Sequence, residues 1–482
     1  MNIKTVLRIL GILLIGFSIT MIPPIFFSIL FEDGQAAAFF QSMLVYICLG
    51  VLIWYPIRDQ KSELRLRDGF LVVAGFWVVI SLAGSLPFMF SELNMPWTDA
   101  AFEAVSGLTT TGATVIVGLD HLPKSILYYR QQLQWLGGMG IIVLALAVLP
   151  MLGVGGMQLY KAETPGPVKD SKLTPRITET AKALWYIYLG LTVICALAYG
   201  WAGMPWFDAL CHSFSTVAIG GFSTHDASIG YFDSTMIETV CVIFMLISGI
   251  NFSLHFIAYR RIQIYHYFRD AEFRSYLYLL ATATVVVLIA LEHSDYIDVT
   301  SEAFRASVFQ VVSLGTTTGF TTENYSAWPG SIPLLLILLS FVGGCAGSTA
   351  GGMKVIRWLL IFKQGAREIK RLIHPNAEIP VKLSNRAVPY RVIDAVWGFF
   401  SIYVVVFTVF MLLMMATGLD QVTAFSAVAA SLNNLGPGLG EVANNFVSIN
   451  DSAKWLSIFA MIMGRLEIFT LLVLMIPAFW SD

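Results

Sequence analysis

Two short stretches of this chain could hold an ion without any acidic side chain. The segment 106-SGLTTTGATV-115 sets four threonines around Gly112, and 315-GTTTGFTT-322 repeats the pattern around Gly319. Hydroxyls and backbone carbonyls are neutral oxygen donors, and a ring of carbonyls replaces the hydration shell of a weakly hydrated alkali cation. Glycine reaches backbone dihedrals that other residues avoid, which lets successive carbonyls turn inward. Threonine can anchor the strand or add oxygens.

The pattern has four copies. Placing Gly112 under Gly319 also aligns 206-WFDALCHSFSTVAIGGFSTH-225 and 421-QVTAFSAVAASLNNLGPGLG-440, so Gly112, Gly221, Gly319 and Gly436 each mark one copy. Six positions before the glycine stand Ser106, Ser215, Ser313 and Ala430, all small enough for close helix packing. Twenty-eight positions after it stand Gly140, Gly249, Gly347 and Gly464. At average glycine usage of about 7%, four such coincidences have odds on the order of 10⁻⁵ to 10⁻⁴ before discounting the offsets scanned, so the register reflects a repeat.

The elements that position these loops belong in a membrane. Of 482 residues 57% are hydrophobic and 12% charged, and the mean hydropathy is +0.73; soluble chains average about 45–50% apolar and about 25% charged. Apolar runs near 6–31, 37–57, 69–91, 125–150, 180–203, 234–258, 274–292, 331–362, 389–417 and 452–478 predict about ten spanning helices. The first follows Lys4 and Arg8 but is too long for a signal-peptide core and stays as a span, kinked at Pro23 and Pro24. Four semi-polar stretches, 97–109, 206–218, 301–316 and 421–433, are too short to cross and predict re-entrant half-helices. Their negative dipole ends would face the centre and repel anions. The five cysteines are expected to be small buried hydrophobes, since none shows metal-ligand spacing.

Charge sets the orientation. The net charge of −2 hides four basic loops on one side: Arg58, Lys61, Arg65 and Arg67; Lys161, Lys169, Lys172, Arg176 and Lys182; Arg260, Arg261, Arg269 and Arg274; and Lys363 through Arg391. That side is cytoplasmic by the positive-inside rule, and both termini share it. On the other side one acid follows each glycine: Asp120, Asp226, Glu323 and Glu441. They read as an outer mouth that concentrates cations, or as ordinary solvated loop carboxylates.

Beneath the glycine loops two features stand out. The third copy carries 343-GGCAGSTAGGMK-354, where Gly343, Gly344, Gly347, Gly351 and Gly352 interrupt a helix around Ser348. It reads as a loop that can obstruct or open the path, or as close packing by small residues; a nucleotide-binding loop is disfavoured because no G-K-[ST] occurs. Arg465 follows Gly464, where the other copies have Ile141, Ile250 and Ser348. An arginine this deep faces a cavity or a partner, as a barrier to cations or as a structural carbonyl cap.

Together 109-TTTGATV-115, 219-IGGFSTHDAS-228, 316-TTTGFTT-322, 431-SLNNLGPGLGE-441, 344-GCAGSTAGGMK-354 and 464-GRLEIFT-470 resemble the TrkH branch of the bacterial Trk/Ktr/HKT potassium transporters over nearly the whole chain. The resemblance implies an all-α integral membrane protein of the cell inner membrane. It would hold four tandem repeats of helix, pore half-helix, filter loop and helix around a pseudo-fourfold pore, preceded by two extra transmembrane helices. The divisions expected are 1–64 for the two leading helices, then 65–160, 161–265, 266–380 and 381–482 for the four pore repeats. Potassium would be bound by backbone oxygens of Thr110, Thr111 and Gly112; Ile219, Gly220 and Gly221; Thr317, Thr318 and Gly319; and Asn434, Leu435 and Gly436. The 343–354 loop and Arg465 match the family's gate. The resemblance further implies a homodimer and a cytoplasmic TrkA-type ring that alone carries nucleotides (ATP, ADP or NAD), with no covalent cofactor and no nucleic acid. One glycine per strand departs from the two of potassium-channel filters, and the fourth strand lacks threonine and carries Pro437.

The rival readings are a proton-coupled potassium symporter, a small-solute secondary transporter and an enzyme. A solute transporter would commonly show inverted repeats, whereas these copies share one orientation. No nucleophile and base constellation suggests catalysis, and no chain of buried acids and histidines suggests a proton relay.

Overall fold

The computed structural model describes residues 2–59, 66–143, 177–261, 263–294, 296–297, 300–384 and 386–480. Lys61, Arg65, the basic residues of 161–176, and the expected boundaries at 64 and 160 lie outside them. Among the described residues six helices are long and apolar enough to cross a bilayer, and up to eight if each of two bent pairs is one span. Large apolar side chains such as Leu52, Leu197 and Trp201 are exposed, the pattern of a lipid-facing surface. Cys48 is exposed too, unlike the other four cysteines, which are buried. Its helix, Ala36–Trp54, turns that face outward beside exposed Leu44 and Leu52.

The first span shows how prolines are accommodated. It passes from an α-helix (Ile3–Ser18) through a 3-10 turn at Ile19–Met21 into a second helix, Ile22–Phe31. Pro23 and Pro24 lack the N–H groups that would bond the carbonyls of Ile19 and Thr20. Ile19 O accepts the Ile22 N–H instead, and Thr20 O accepts Gln132 Nε2 at 2.7 Å from a neighbouring helix.

The four half-helices are Trp97–Leu108, Trp206–Ala218, Thr300–Gly315 and Gln421–Leu432. At 12 to 16 residues they reach roughly 18–24 Å, short of a hydrocarbon core of about 30 Å. Pro96 and Pro205 precede the first two, and Asp420 Oδ2 caps the fourth by accepting the N–H groups of Val422 and Thr423. Apart from Ser301, their alanines and serines are buried, which places these helices inside the protein with their C-terminal ends at the glycine loops.

The last helix is broken in copies two and four, where unbroken spans are expected, and in copy three, where the glycines of 343–354 are expected to interrupt it. Thr235–Ser248 turns by 92° into Phe252–Arg260, and Asp451–Arg465 turns by 112° into Phe469–Met475. In copy three, Ile332–Val342 and Val355–Ile373 flank the 343–354 loop. In copies two and four long apolar runs flank the break on both sides, so hydropathy alone joins the halves. The backbone does not: Glu467 and Ile468 both take positive φ, and the gap at 249–251 bonds the loop through Cys345 N–H to Gly249 O (2.9 Å) and Phe252 N–H to Gly347 O (3.0 Å). Copy one keeps a single described helix, Lys124–Val143, through Gly140.

Candidate functional site: a ring of four glycine strands

Each half-helix ends in the same backbone figure. Thr110, Ile219, Thr317 and Asn434 have φ between 53° and 67°, and Gly112, Gly221, Gly319 and Gly436 have φ between 79° and 98°. The residue between them in each strand has a negative φ. Alternation between left- and right-handed conformations turns successive carbonyls to one side of a strand, and only glycine holds the second left-handed position at little cost. The intervening N–H is tied back to the half-helix at the small position: Thr111 to Ser106 O (2.9 Å), and Gly220 to Ser215 O, Thr318 to Ser313 O and Leu435 to Ala430 O (each 2.8 Å).

The strands close on one another in chain order. A Cβ added to Gly112 would run into the carbonyl oxygen of Gly220, one on Gly221 into Thr318 O, one on Gly319 into Leu435 O, and one on Gly436 into Thr111 O. This circuit, one to two to three to four and back to one, is a ring around a single axis. All four glycines also line one outward-opening cavity of about 90 Å³.

Anchorage differs between copies. In copies one and three the threonines pair, Thr109 Oγ1 with Thr111 Oγ1 and Thr316 Oγ1 with Thr318 Oγ1 (both 2.7 Å). Thr109 and Thr316 then donate to the half-helix carbonyls Val105 O and Val312 O. Copies two and four lack that pair, and side-chain amides replace it. Gln134, from the last helix of copy one, donates to Gly220 O at 2.6 Å and accepts the Phe222 N–H at 3.0 Å. Asn434 Nδ2 donates to Thr111 Oγ1 and to Met461 O, both at 3.0 Å, which stitches copy four to copy one. Asn433 bonds Tyr403 and Ser340.

Of the four acids after the glycines, Asp226 lines the outer cavity, where its carboxylate accepts the N–H groups of Gly118 (3.1 Å) and Leu119 (3.0 Å). Asp120 meets His225 Nδ1 at 2.5 Å, and the imidazole stacks on Tyr231 with centroids 3.5 Å apart. Burial opposes a charge on His225, but Asp208 and Asp120 outweigh it and raise its pKa above the ordinary imidazole value. The His225 hydrogen bond in turn holds Asp120 below the usual carboxylate range. Glu323 and Glu441 are exposed on the loops of copies three and four and do not line this cavity.

Beneath the ring the 343–354 loop touches three copies. Gly351 N–H donates to Thr317 Oγ1 (2.7 Å), Gly352 N–H to Asn433 O (3.1 Å), and Thr349 Oγ1 to Val217 O (3.0 Å). Gly343, Gly347 and Gly352 take positive φ, whereas Gly344 and Gly351 allow close approach; Ser348 folds onto Cys345 O. Glu272 Oε1 fastens the loop and the start of the next helix through the N–H groups of Ala346 and Ile356. Arg465, buried, donates to Thr349 O at 3.2 Å and to Gly137 O at 2.8 Å, with its guanidinium 5.4 Å from the Trp77 ring centroid. It thereby joins copy four to the loop and to copy one. Its donors thus cap carbonyls of two other segments.

Sequence patterning passes over Gln134, Glu103 and Arg130, which all touch the strands. Glu103 and Arg130 carry a usable signal, since each is a charge inside a segment assigned to membrane depth.

The TrkH family model, described as a cation transport protein, matches residues 35–482. The Trk system potassium uptake protein TrkH of Halomonas elongata is 59% identical over 482 residues, covering all of both chains. The protein of that name from Escherichia coli is 56% identical over 483 residues, again with full coverage of both. The crystal structure of the potassium transporter TrkH from Vibrio parahaemolyticus superposes with a TM-score of 0.91 at 54% identity and covers all of both chains. Four glycine strands closing in a ring, on a chain matched from end to end, lead to one assignment: the chain belongs to the TrkH family of cation transport proteins.

Proposed function

We propose that this protein takes up potassium through a selective, gated pore in the bacterial inner membrane, with both termini cytoplasmic. Two leading helices (1–64) precede pore repeats 65–160, 161–265, 266–380 and 381–482. The observation that carries the reading is the closed circuit of Gly112, Gly221, Gly319 and Gly436, each against a carbonyl of the next strand. The oxygens of Thr110–Gly112, Ile219–Gly221, Thr317–Gly319 and Asn434–Gly436 replace the water around a potassium ion, and the half-helix dipoles exclude anions. Asp120, Asp226, Glu323 and Glu441 raise the cation concentration at the mouth. The 343–354 loop and Arg465 form the gate: the loop obstructs the path, and the guanidinium repels cations that reach it. Movement is passive. The protein works as a homodimer under a cytoplasmic TrkA-type ring that carries the nucleotides.

The test is cation flux in proteoliposomes with and without an imposed pH gradient. Potassium flux that exceeds sodium flux and ignores the gradient supports the reading. Uptake that requires the gradient replaces it with proton symport, and equal flux of both ions removes the filter.

A further inference from the structure

We propose that Glu103 and Arg130 are a positioning pair that sets how sharply the pore separates potassium from sodium. The inference rests on the filter assignment above and adds residues that are not part of the oxygen ring. Glu103 lies in the first half-helix and Arg130 in the last helix of copy one, and both are almost fully buried. Arg130 Nε donates to Glu103 Oε1 at 2.8 Å. The pair then grips two neighbouring strands just outside their glycines. On copy one, Glu103 accepts the Val115 N–H at 3.0 Å and the Thr114 hydroxyl at 2.9 Å, and Arg130 Nη2 reaches the same hydroxyl at 3.1 Å. On copy two, Arg130 Nη1 donates to Ser223 O at 3.0 Å, and the guanidinium lies over the Phe222 ring, 4.2 Å from its centroid.

Among the described residues the other copies have no such clamp. The residues matching Glu103 are His212, Gln310 and Ala427, and those matching Arg130 are Thr239, Ile337 and Lys454. His212 reaches Ser223 Oγ at 2.9 Å, which pins that residue from its second side. Lys454 pairs with Asp99 of copy one at 2.7 Å, away from the glycine strands. The boundary between strands one and two therefore carries a buried ionic brace that the matching positions of the other copies lack.

Bracing bears on ion choice because sodium is the smaller ion: carbonyls satisfy it only by drawing inward, and a strand that cannot move refuses it. A buried ion pair is well suited to this. Loss of either partner strands an uncompensated charge and releases every hydrogen bond the pair organises. Arg130 also lines the outer cavity, so Glu103 neutralises a cation that would otherwise face arriving potassium.

The experiment measures potassium and sodium flux in proteoliposomes containing Glu103→Gln, Arg130→Gln, Thr114→Val or Thr114→Ser, with Gly319→Ser as a control. Thr114→Val keeps both charges and the side-chain shape while removing the shared hydroxyl, so it remains informative if either charge variant fails to fold. The expected result is a potassium-over-sodium ratio about tenfold lower in Thr114→Val and in each charge variant that folds, the scale of one lost charge-assisted hydrogen bond. Thr114→Ser restores the parent ratio. The ratio is independent of how much protein inserts, so a merely structural role would lower flux and leave it unmoved. If Thr114→Val and the folded charge variants keep the parent ratio while Gly319→Ser lowers it, the pair has no part in selectivity. If Gly319→Ser also keeps it, the filter assignment itself fails.

Discussion

Replacing Gly319 by serine strikes the ring at a contact where the cost can be worked out. A Cβ at this position would lie 2.2 Å from Leu435 O and 2.7 Å from Pro437 Cδ. Carbon and oxygen approach to about 3.3 Å without repulsion, so strands three and four must part by roughly 1 Å. The left-handed backbone, φ 84°, adds about 1–2 kcal/mol for any residue bearing a Cβ. A ring opened on one side no longer surrounds a bare ion evenly, and a differential loss of about 1.4 kcal/mol lowers the potassium-over-sodium ratio about tenfold. The assay is paired potassium and sodium flux from the same liposome preparation, with protein that elutes and melts like the parent. Serine at Gly436 provides a graded comparison: its Cβ would sit 2.8 Å from Thr111 O, so the ratio should fall less. An unchanged ratio in folded Gly319→Ser, or a larger effect at Gly436 than at Gly319, would refute the reasoning.

Arg465→Ala should raise resting flux severalfold, because it removes a charge below the ring and frees Thr349 O and Gly137 O together; equal or lower flux in folded protein would remove Arg465 from the gate. The Asp120–His225 contact should give a stability bonus with a defined pH window. Asp120 has a depressed folded pKa, so its share is present above about pH 4 and fades as pH falls through the folded value. His225 has a raised folded pKa, so its share is complete below about pH 6.5 and fades as pH rises through the folded value. The melting-temperature gap between the parent and Asp120→Asn should therefore be widest near pH 5–6, and a gap that grows above pH 8 would contradict the assignment.

The half-helices and glycine loops are legible in the sequence because they answer to local rules. Short semi-polar runs cannot span, and the glycine register repeats four times. The copy-two half-helix, expected at 206–218, is found at Trp206–Ala218. The broken last helices of copies two and four are not legible, because long apolar runs flank 249–251 and 466–468 on both sides while the turns depend on bonds distant in sequence, such as Cys345 N–H to Gly249 O. The substitutes for missing threonines are hidden for a related reason. Gln134 serves strand two from copy one, and Asn434 ties strand four to Thr111 of copy one, so reading each copy against its own pattern finds only a gap.

That sharing of supports follows from having all four quarters on one polypeptide. In an assembly of four identical subunits every substitution is made four times, and any change near the conduction path is severe. Here an amide can brace one quarter while a hydroxyl pair braces another, and each can drift by single steps while three sides hold. Ion preference in such a molecule can be adjusted in small increments, one wall at a time.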